Sequence, residues 1–198
     1  MFVSHRINTV AELIATPHEL GIEVDLRDVG DQIVLAHDPF VGGELFADFL
    51  RAYRHAFIIL NVKSERVEFR VLELLRQHGV EDYFFLDCSF PMVITLARQG
   101  ETRIALRYSE YESLESIRLM QDRISWVWVD CFSRMPLSRA DFDEIKRMGL
   151  KVCLVSPELQ GQADKIDEHI SDLRSRNIQP DMVCSKIYNL QKWQEIFN

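Results

Sequence analysis

The first third of the sequence contains four short polar signatures whose residue types suit phosphoester chemistry. They are His5-Arg6, Glu23-Val24-Asp25, His37-Asp38 and Asn61-Val62-Lys63. Two histidines can exchange protons with a reacting group, and an arginine and a lysine can bind phosphoryl oxygens. Two carboxylates can hold a hard divalent cation such as Mg²⁺ or Ca²⁺, and the amide oxygen of Asn61 can serve as a further ligand.

Asn61 is the unusual member of this set, because a neutral amide stands where a third carboxylate would be expected. An amide in place of a carboxylate removes one negative charge beside the ion, so the sequence predicts a weakly held cation. Two arrangements stay open. Either the substrate phosphate helps to recruit the ion, or no ion binds and the two carboxylates pair with Arg6 and Lys63.

Short apolar runs alternate with longer segments of helical period along the whole chain. The predicted strands span residues 2–5, 21–27, 57–63, 83–88, 102–108, 126–131, 151–156 and 182–186, with an extended segment at 32–37. The predicted helices span residues 9–18, 43–54, 65–78, 90–99, 111–122, 138–148, 162–176 and 189–197. Eight strand–helix units predict an α/β fold, a small (β/α)8 TIM barrel in a single domain of residues 1–198. An open doubly wound sheet is disfavoured, because no glycine-rich turn follows the first strand.

This architecture would bring the polar signatures together. Side chains alternate along a strand, so Glu23 and Asp25 share one face, as do Asn61 and Lys63. All four lie near the C-terminal ends of predicted strands, where barrel enzymes keep their active sites. Arg107 ends the fifth strand and is a further candidate contact for an anionic group of the substrate.

Composition restricts the classes of partner and compartment. A net charge of -8 disfavours nucleic acid, although a local cation cluster can still bind a small anion. No apolar run is long enough for a transmembrane segment and no signal peptide is evident, so we expect a cytoplasmic protein. The four cysteines form no CxxC pair and are interpreted as core residues, whereas His18, His55, His78 and His169 are interpreted as surface residues. The sequence contains no feature that indicates an oligomeric state.

The polar signatures also resemble a known motif series. His5-Arg6, Asn8-Thr9, Glu23-Val24-Asp25, His37-Asp38-Pro39 and the strand ending in Lys63 look like the motifs of the glycerophosphodiester phosphodiesterase family. That resemblance implies a (β/α)8 barrel, one divalent metal and a catalytic histidine pair. By the same resemblance, His5 and His37 would be acid and base, Glu23 and Asp25 metal ligands, and Arg6 and Lys63 phosphate contacts. This chain differs at Asn61, which replaces a glutamate, and no capping insertion follows His37.

The sequence therefore predicts a hydrolase that cleaves a phosphodiester bond in a small, glycerophosphodiester-like molecule. One alternative is a non-catalytic barrel that binds a phosphorylated ligand. Another is a lyase resembling the related sphingomyelinase D enzymes, in which a hydroxyl of the substrate attacks the phosphorus and a cyclic phosphate forms.

Overall fold

The computed structural model describes residues 1–197. Strands and helices alternate along the chain, which confirms the predicted α/β class. The strands are β1 (Phe2–Ser4), β2 (Gly21–Val29), β3 (Gln32–Leu35), β4 (Glu44–Leu45), β5 (Phe57–Val62), β6 (Tyr83–Leu86), β7 (Ala105–Tyr108), β8 (Trp126–Val129), β9 (Lys151–Val155) and β10 (Met182–Ser185). The α-helices are α1 (Val10–Ala15), α2 (Phe46–Ala52), α3 (Glu68–His78), α4 (Phe90–Arg98), α5 (Leu114–Met120), α6 (Arg139–Arg147), α7 (Ile166–Ser175) and α8 (Leu190–Trp193). Short 3-10 turns occupy Pro157–Gln160, Ala163–Lys165, Ile187–Asn189 and Gln194–Ile196.

The chain forms two compact units, of which the first is Ser4–Gly100. In this unit β2, β5 and β6 run parallel, and β3 and β4 extend the sheet from β2 as an antiparallel hairpin. Every residue of β5 and β6 is buried. Strands covered on both faces read as continuous apolar runs, which is why the sequence pattern identified them.

The second unit consists of residues 1–3 and 101–197. Strands β7, β8, β9 and β10 pair in that order and all run parallel. Cys131, Cys153 and Cys184 are buried here, as the sequence predicted, whereas Cys88 in the first unit is only partly buried and is not a full core residue. Ser138 caps α6 by accepting a hydrogen bond from the backbone amide of Asp141.

Two of the histidines interpreted as surface residues are buried, so that interpretation was wrong for them. His55 and His169 are only 7% and 2% exposed. His55 precedes β5, and its Nε2 lies 2.9 Å from the backbone carbonyl oxygen of Thr16. Burial lowers the pKa of both imidazoles, which keeps them neutral in the core.

Among residues 1–197, no helix has the length and apolar character needed to cross a membrane.

The β3–β4 hairpin, whose loop contains His37, depends on a close backbone approach at Gly43. A Cβ atom at Gly43 would lie 2.1 Å from the backbone oxygen of Leu35, whereas one at Gly42 would meet nothing within 4 Å. We expect Gly43→Ala to lower the free energy of unfolding by about 1–3 kcal/mol, because the hairpin must open to admit the methyl group. Gly42→Ala is the matched control, and chemical denaturation of both variants measures the difference. Equal stability of the two variants would contradict a close approach of Gly43 to Leu35.

Candidate active site

The site lies in the unit Ser4–Gly100 and is positioned by the parallel pair β2 and β5. Asp25 is in register with Asn61, and Leu26 with Val62. The alternate residues Ile22 and Val24 are fully buried on the other face of β2. Alternation therefore directs Glu23 and Asp25 to one face, as the sequence predicted.

Glu23 is fully buried and receives polar contacts from three directions. Its Oε2 accepts a 2.7 Å hydrogen bond from the backbone amide of Arg6, and its Oε1 accepts a 2.8 Å hydrogen bond from Nδ2 of Asn61. His5 Nε2 lies 3.7 Å from Glu23 Oε2. Arg6 adopts a left-handed conformation with φ of 58°, which is uncommon for a residue with a side chain.

Asp25 is 1% exposed and lies between two cations. Arg6 Nε is 3.5 Å from Asp25 Oδ2, and Lys63 Nζ is 3.8 Å from Asp25 Oδ1. Asn8 forms a reciprocal pair with Asp25, because its Nδ2 donates to Oδ2 at 2.8 Å and its Oδ1 accepts from the Asp25 backbone amide at 2.9 Å. These contacts fix the carboxylate while leaving both cations partly exposed to an incoming anion.

Both carboxyl groups have raised pKa values. Burial raises the pKa of Glu23, and the hydrogen bond from Asn61 only partly offsets this effect. Burial and then the charge of Glu23 raise the pKa of Asp25, against the lowering effects of Asn8, Lys63 and His37. Two adjacent buried carboxylates with raised pKa values are typical of functional sites, because the ionised pair lacks full compensation.

This electrostatic arrangement predicts a pH-dependent cost of folding that Glu23→Gln removes. A raised folded-state pKa means that the ionised carboxylate destabilises the fold. The cost is absent below the ordinary value of about 4.3 and grows as the pH rises through the folded-state pKa. Between acidic and neutral pH, we expect the free energy of unfolding of Glu23→Gln to rise by more than about 1 kcal/mol relative to that of the wild type. Urea unfolding of both proteins at several pH values in chelator measures this difference in unfolding free energy. Parallel pH profiles for the variant and the wild type would refute the predicted cost of ionising Glu23.

The same side chains can be tested for their fit to a divalent cation. Asn61 Oδ1 is buried and has no hydrogen-bond partner, so an acceptor is available at the predicted ligand atom. Glu23 and Asp25 retain carboxylate lone pairs beyond the hydrogen bonds that they accept. The described residues contain no group of three or more histidine, cysteine, aspartate or glutamate side chains that could hold a metal. Two carboxylates and one amide form an oxygen set that fits Mg²⁺ or Ca²⁺, with water or phosphate oxygens as the remaining ligands.

His37 lies just beyond β3, and its side chain is 42% exposed. Its Nδ1 is 2.7 Å from Asp38 Oδ1, and this hydrogen bond lowers the pKa of Asp38. Arg27 holds the segment in place by donating to the His37 backbone oxygen at 2.9 Å and to the Lys63 backbone oxygen at 3.0 Å. The electrostatic interaction with His37 also lowers the pKa of Asp25, so His37 belongs to the same electrostatic cluster.

Three residues that sequence analysis did not assign to the site take part in this network. They are Asn8, Arg27 and Asp87, whose Oδ2 accepts from Lys63 Nζ at 3.4 Å. Arg27 could have been found from strand alternation, since it is two residues beyond Asp25 on β2. Asp87 directly follows β6 and could have been found from its position at a strand end.

Arg107 lies in the unit formed by residues 1–3 and 101–197. Its Nη1 donates to Oδ2 of Asp130, a side chain only 1% exposed, which also accepts a hydrogen bond from Gln160 at 2.8 Å. This ion pair orients the guanidinium at the end of β7. The role of Arg107 as a phosphate contact stays a prediction.

Comparison with known proteins identifies the fold through structure and not through sequence. No family model and no curated protein matches the chain. A solved structure from Agrobacterium tumefaciens str. C58, provisionally named a glycerophosphoryl diester phosphodiesterase, superposes with a TM-score of 0.71 at 14% identity and covers 98% of this chain and 96% of its own. A glycerophosphoryl diester phosphodiesterase from Parabacteroides distasonis ATCC 8503 gives 0.64 at 12% identity, covering 97% and 85%. A glycerophosphodiester phosphodiesterase from Agrobacterium tumefaciens str. C58 gives 0.60 at 15% identity, covering 93% and 94%. The chain shares the fold of these three structures over nearly its whole length.

Proposed function

We propose that this chain, which has the fold of three structures named as glycerophosphodiester phosphodiesterases, belongs to that family and is a phosphoric diester hydrolase. The proposal rests on one observation, that His5, Arg6 and Lys63 converge on two buried carboxylates. His5 lies within 3.8 Å of Glu23, and Arg6 and Lys63 both lie within 3.8 Å of Asp25. Proton carriers and cations grouped in this way match the requirements of phosphodiester cleavage. A small anionic phosphodiester is the substrate class that fits the partly exposed cations.

The hydrogen bonding of His37 suits a general base. When Nδ1 donates its proton to Asp38, the lone pair of Nε2 is available to take a proton from water. The water oxygen then bonds to phosphorus, and His5 gives a proton to the departing alkoxide oxygen as its bond to phosphorus breaks. The products are an alcohol and a phosphomonoester.

Arg6 and Lys63 would bind the non-bridging phosphoryl oxygens and stabilise the charge that develops on them. Their side chains are 42% and 19% exposed, so both can reach a ligand without leaving the vicinity of Asp25. We propose that Glu23, Asp25 and Asn61 hold a weakly bound Mg²⁺ or Ca²⁺. When bound, such an ion polarises the phosphoryl group.

We further propose that the strands close into a (β/α)8 barrel that forms a single domain. We also propose that the protein is located in the cytoplasm. Eight successive strand–helix segments and structural similarity to the phosphodiesterases support the barrel. The lack of a disulfide among the four cysteines of the described chain is consistent with a reducing compartment.

A second candidate is a non-catalytic barrel that binds a phosphorylated ligand. The position of Arg6 and Lys63 at 3.5 and 3.8 Å from Asp25 favours it, because those cations compensate the carboxylate without a metal. In that case the site would bind phosphate through the same cations and release it unchanged.

Phosphorus NMR with a panel of glycerophosphodiesters and Mg²⁺, Ca²⁺ or Mn²⁺ tests the proposed reaction. We expect a linear phosphomonoester to accumulate. Accumulation of a cyclic phosphate would instead identify transphosphorylation. An unchanged spectrum across the panel, combined with measurable ligand binding, would favour the binding barrel.

A further inference from the structure

The loop between β3 and β4 displays apolar side chains directly beside the candidate site. Phe40 is 104% exposed and Val41 49% exposed, and they follow His37 by three and four residues. Phe40 also has a left-handed backbone with φ of 63°, a conformation that is energetically costly for a bulky residue. A fully exposed ring contributes no packing that would offset this cost.

This loop forms one wall of a groove of about 460 Å³. The lining divides into an apolar part, which includes Val29, Phe40 and Val41, and a polar part, which includes Arg27, Asp28 and Ser64. Val29 is itself 54% exposed at the end of β2. A groove with one polar and one apolar part is complementary to an amphiphilic molecule.

The polar part of the groove adjoins the residues that would do the chemistry. Arg27 donates hydrogen bonds to the backbone oxygens of both His37 and Lys63. Ser64 directly follows Lys63, and its hydroxyl is 3.5 Å from the backbone amide of Asp28. A phosphodiester held by Lys63 would therefore have its alcohol substituent close to the entrance of the groove.

We propose that the groove binds the apolar chain of an amphiphilic phosphodiester, whose alcohol carries an acyl or alkyl group. The substrate of the enzyme is then a lysophospholipid-like molecule, and Phe40 and Val41 determine the preference for the chain. This inference rests on the proposed phosphodiesterase function and specifies its substrate class.

The test compares glycerophosphocholine with octanoyl-lysophosphatidylcholine below its critical micelle concentration, because both carry the same headgroup. The readout is the ratio of kcat/KM for the acylated molecule to that for the chainless one. Phe40→Asn removes the ring while asparagine tolerates the left-handed backbone. We expect the wild type to prefer the acylated substrate and Phe40→Asn to reduce the ratio about tenfold, as burial of one ring face against a chain predicts.

Ile14→Gln is the matched control, because Ile14 is a 71% exposed apolar residue on α1 of the same unit. It should leave the ratio unchanged. A ratio near one in the wild type, or an unaltered ratio in Phe40→Asn, would overturn the proposal. So would loss of phosphatidylcholine vesicle binding in Phe40→Asn with an unaltered ratio, because the loop would then contact a membrane surface.

A binding measurement separates this inference from the proposed reaction. Monomeric dodecylphosphocholine should bind the wild type more tightly than Phe40→Asn. If neither phosphodiester is turned over but this Phe40-dependent binding persists, the proposed hydrolase function fails and the chain-binding groove stands. If glycerophosphocholine is hydrolysed and the Phe40 dependence is missing, the groove assignment fails alone.

Discussion

Replacement of His37 by alanine is expected to lower kcat by about 10²- to 10⁴-fold, the usual contribution of a positioned general acid or base. Its side chain is 42% exposed and hydrogen-bonds to exposed Asp38, so its removal should leave the fold intact. His5→Ala should produce a loss of the same order. Steady-state kinetics on a glycerophosphodiester, with circular dichroism to check folding, measures both effects.

His78→Ala is the matched control, because His78 lies in the last turn of α3 and has no role in the proposed chemistry. It should retain wild-type kcat. Full activity in either His5→Ala or His37→Ala would remove that residue from the proton-transfer pathway. A loss of activity that accompanies unfolding would be detected in the circular dichroism spectrum and would show a structural role instead.

Asn61→Glu is expected to make stability strongly dependent on a divalent cation. The side chain at 61 is buried, with only 7% exposed, and its Nδ2 lies 2.8 Å from Glu23 Oε1. A further carboxylate there would add an uncompensated buried charge, which we expect to cost about 3–5 kcal/mol in chelator. An added anionic ligand should also tighten metal binding, and a roughly hundredfold excess of ion over its Kd would return about 2.7 kcal/mol.

Thermal unfolding with chelator and with increasing Mg²⁺ or Ca²⁺ measures the loss of stability and its recovery on metal binding. Isothermal titration calorimetry gives the change in the Kd for the metal ion. Asn61→Gln is the control, because it has the length of glutamate without the charge. It should show no gain in metal dependence. If added metal stabilises Asn61→Glu no more than Asn61→Gln, then Glu23 and Asp25 are not metal ligands.

The sequence predicted the β/α alternation because its strands are buried on both faces and therefore appear as apolar runs. Helix ends were predictable at Gly79, Gly100 and Gly149, which all adopt positive φ values. Strand β4 was missed because it contains only two residues, Glu44–Leu45, and its pairing with β3 depends on the close approach at Gly43. Such a tertiary contact leaves almost no local sequence signal.

The centre of the site followed from side-chain alternation, which placed Glu23 with Asp25 and Asn61 with Lys63. Its supporting contacts did not follow, because they join residues far apart in the chain. Asn8 bonds to Asp25 across 17 positions, and Lys63 reaches Asp87 across 24. The burial of His55 likewise depends on a backbone oxygen 39 residues away, which no local pattern encodes.

A crystal structure of the protein grown in excess Mg²⁺ or Ca²⁺ with glycerol phosphate would show whether Glu23, Asp25 and Asn61 hold a metal ion beside a bound phosphate. We expect an ion bound by Glu23, Asp25 and Oδ1 of Asn61, with the phosphate contacting Arg6 and Lys63. Carboxylates that remain paired with Arg6 and Lys63, with no ion bound at saturating metal, would contradict a metal-assisted phosphodiesterase.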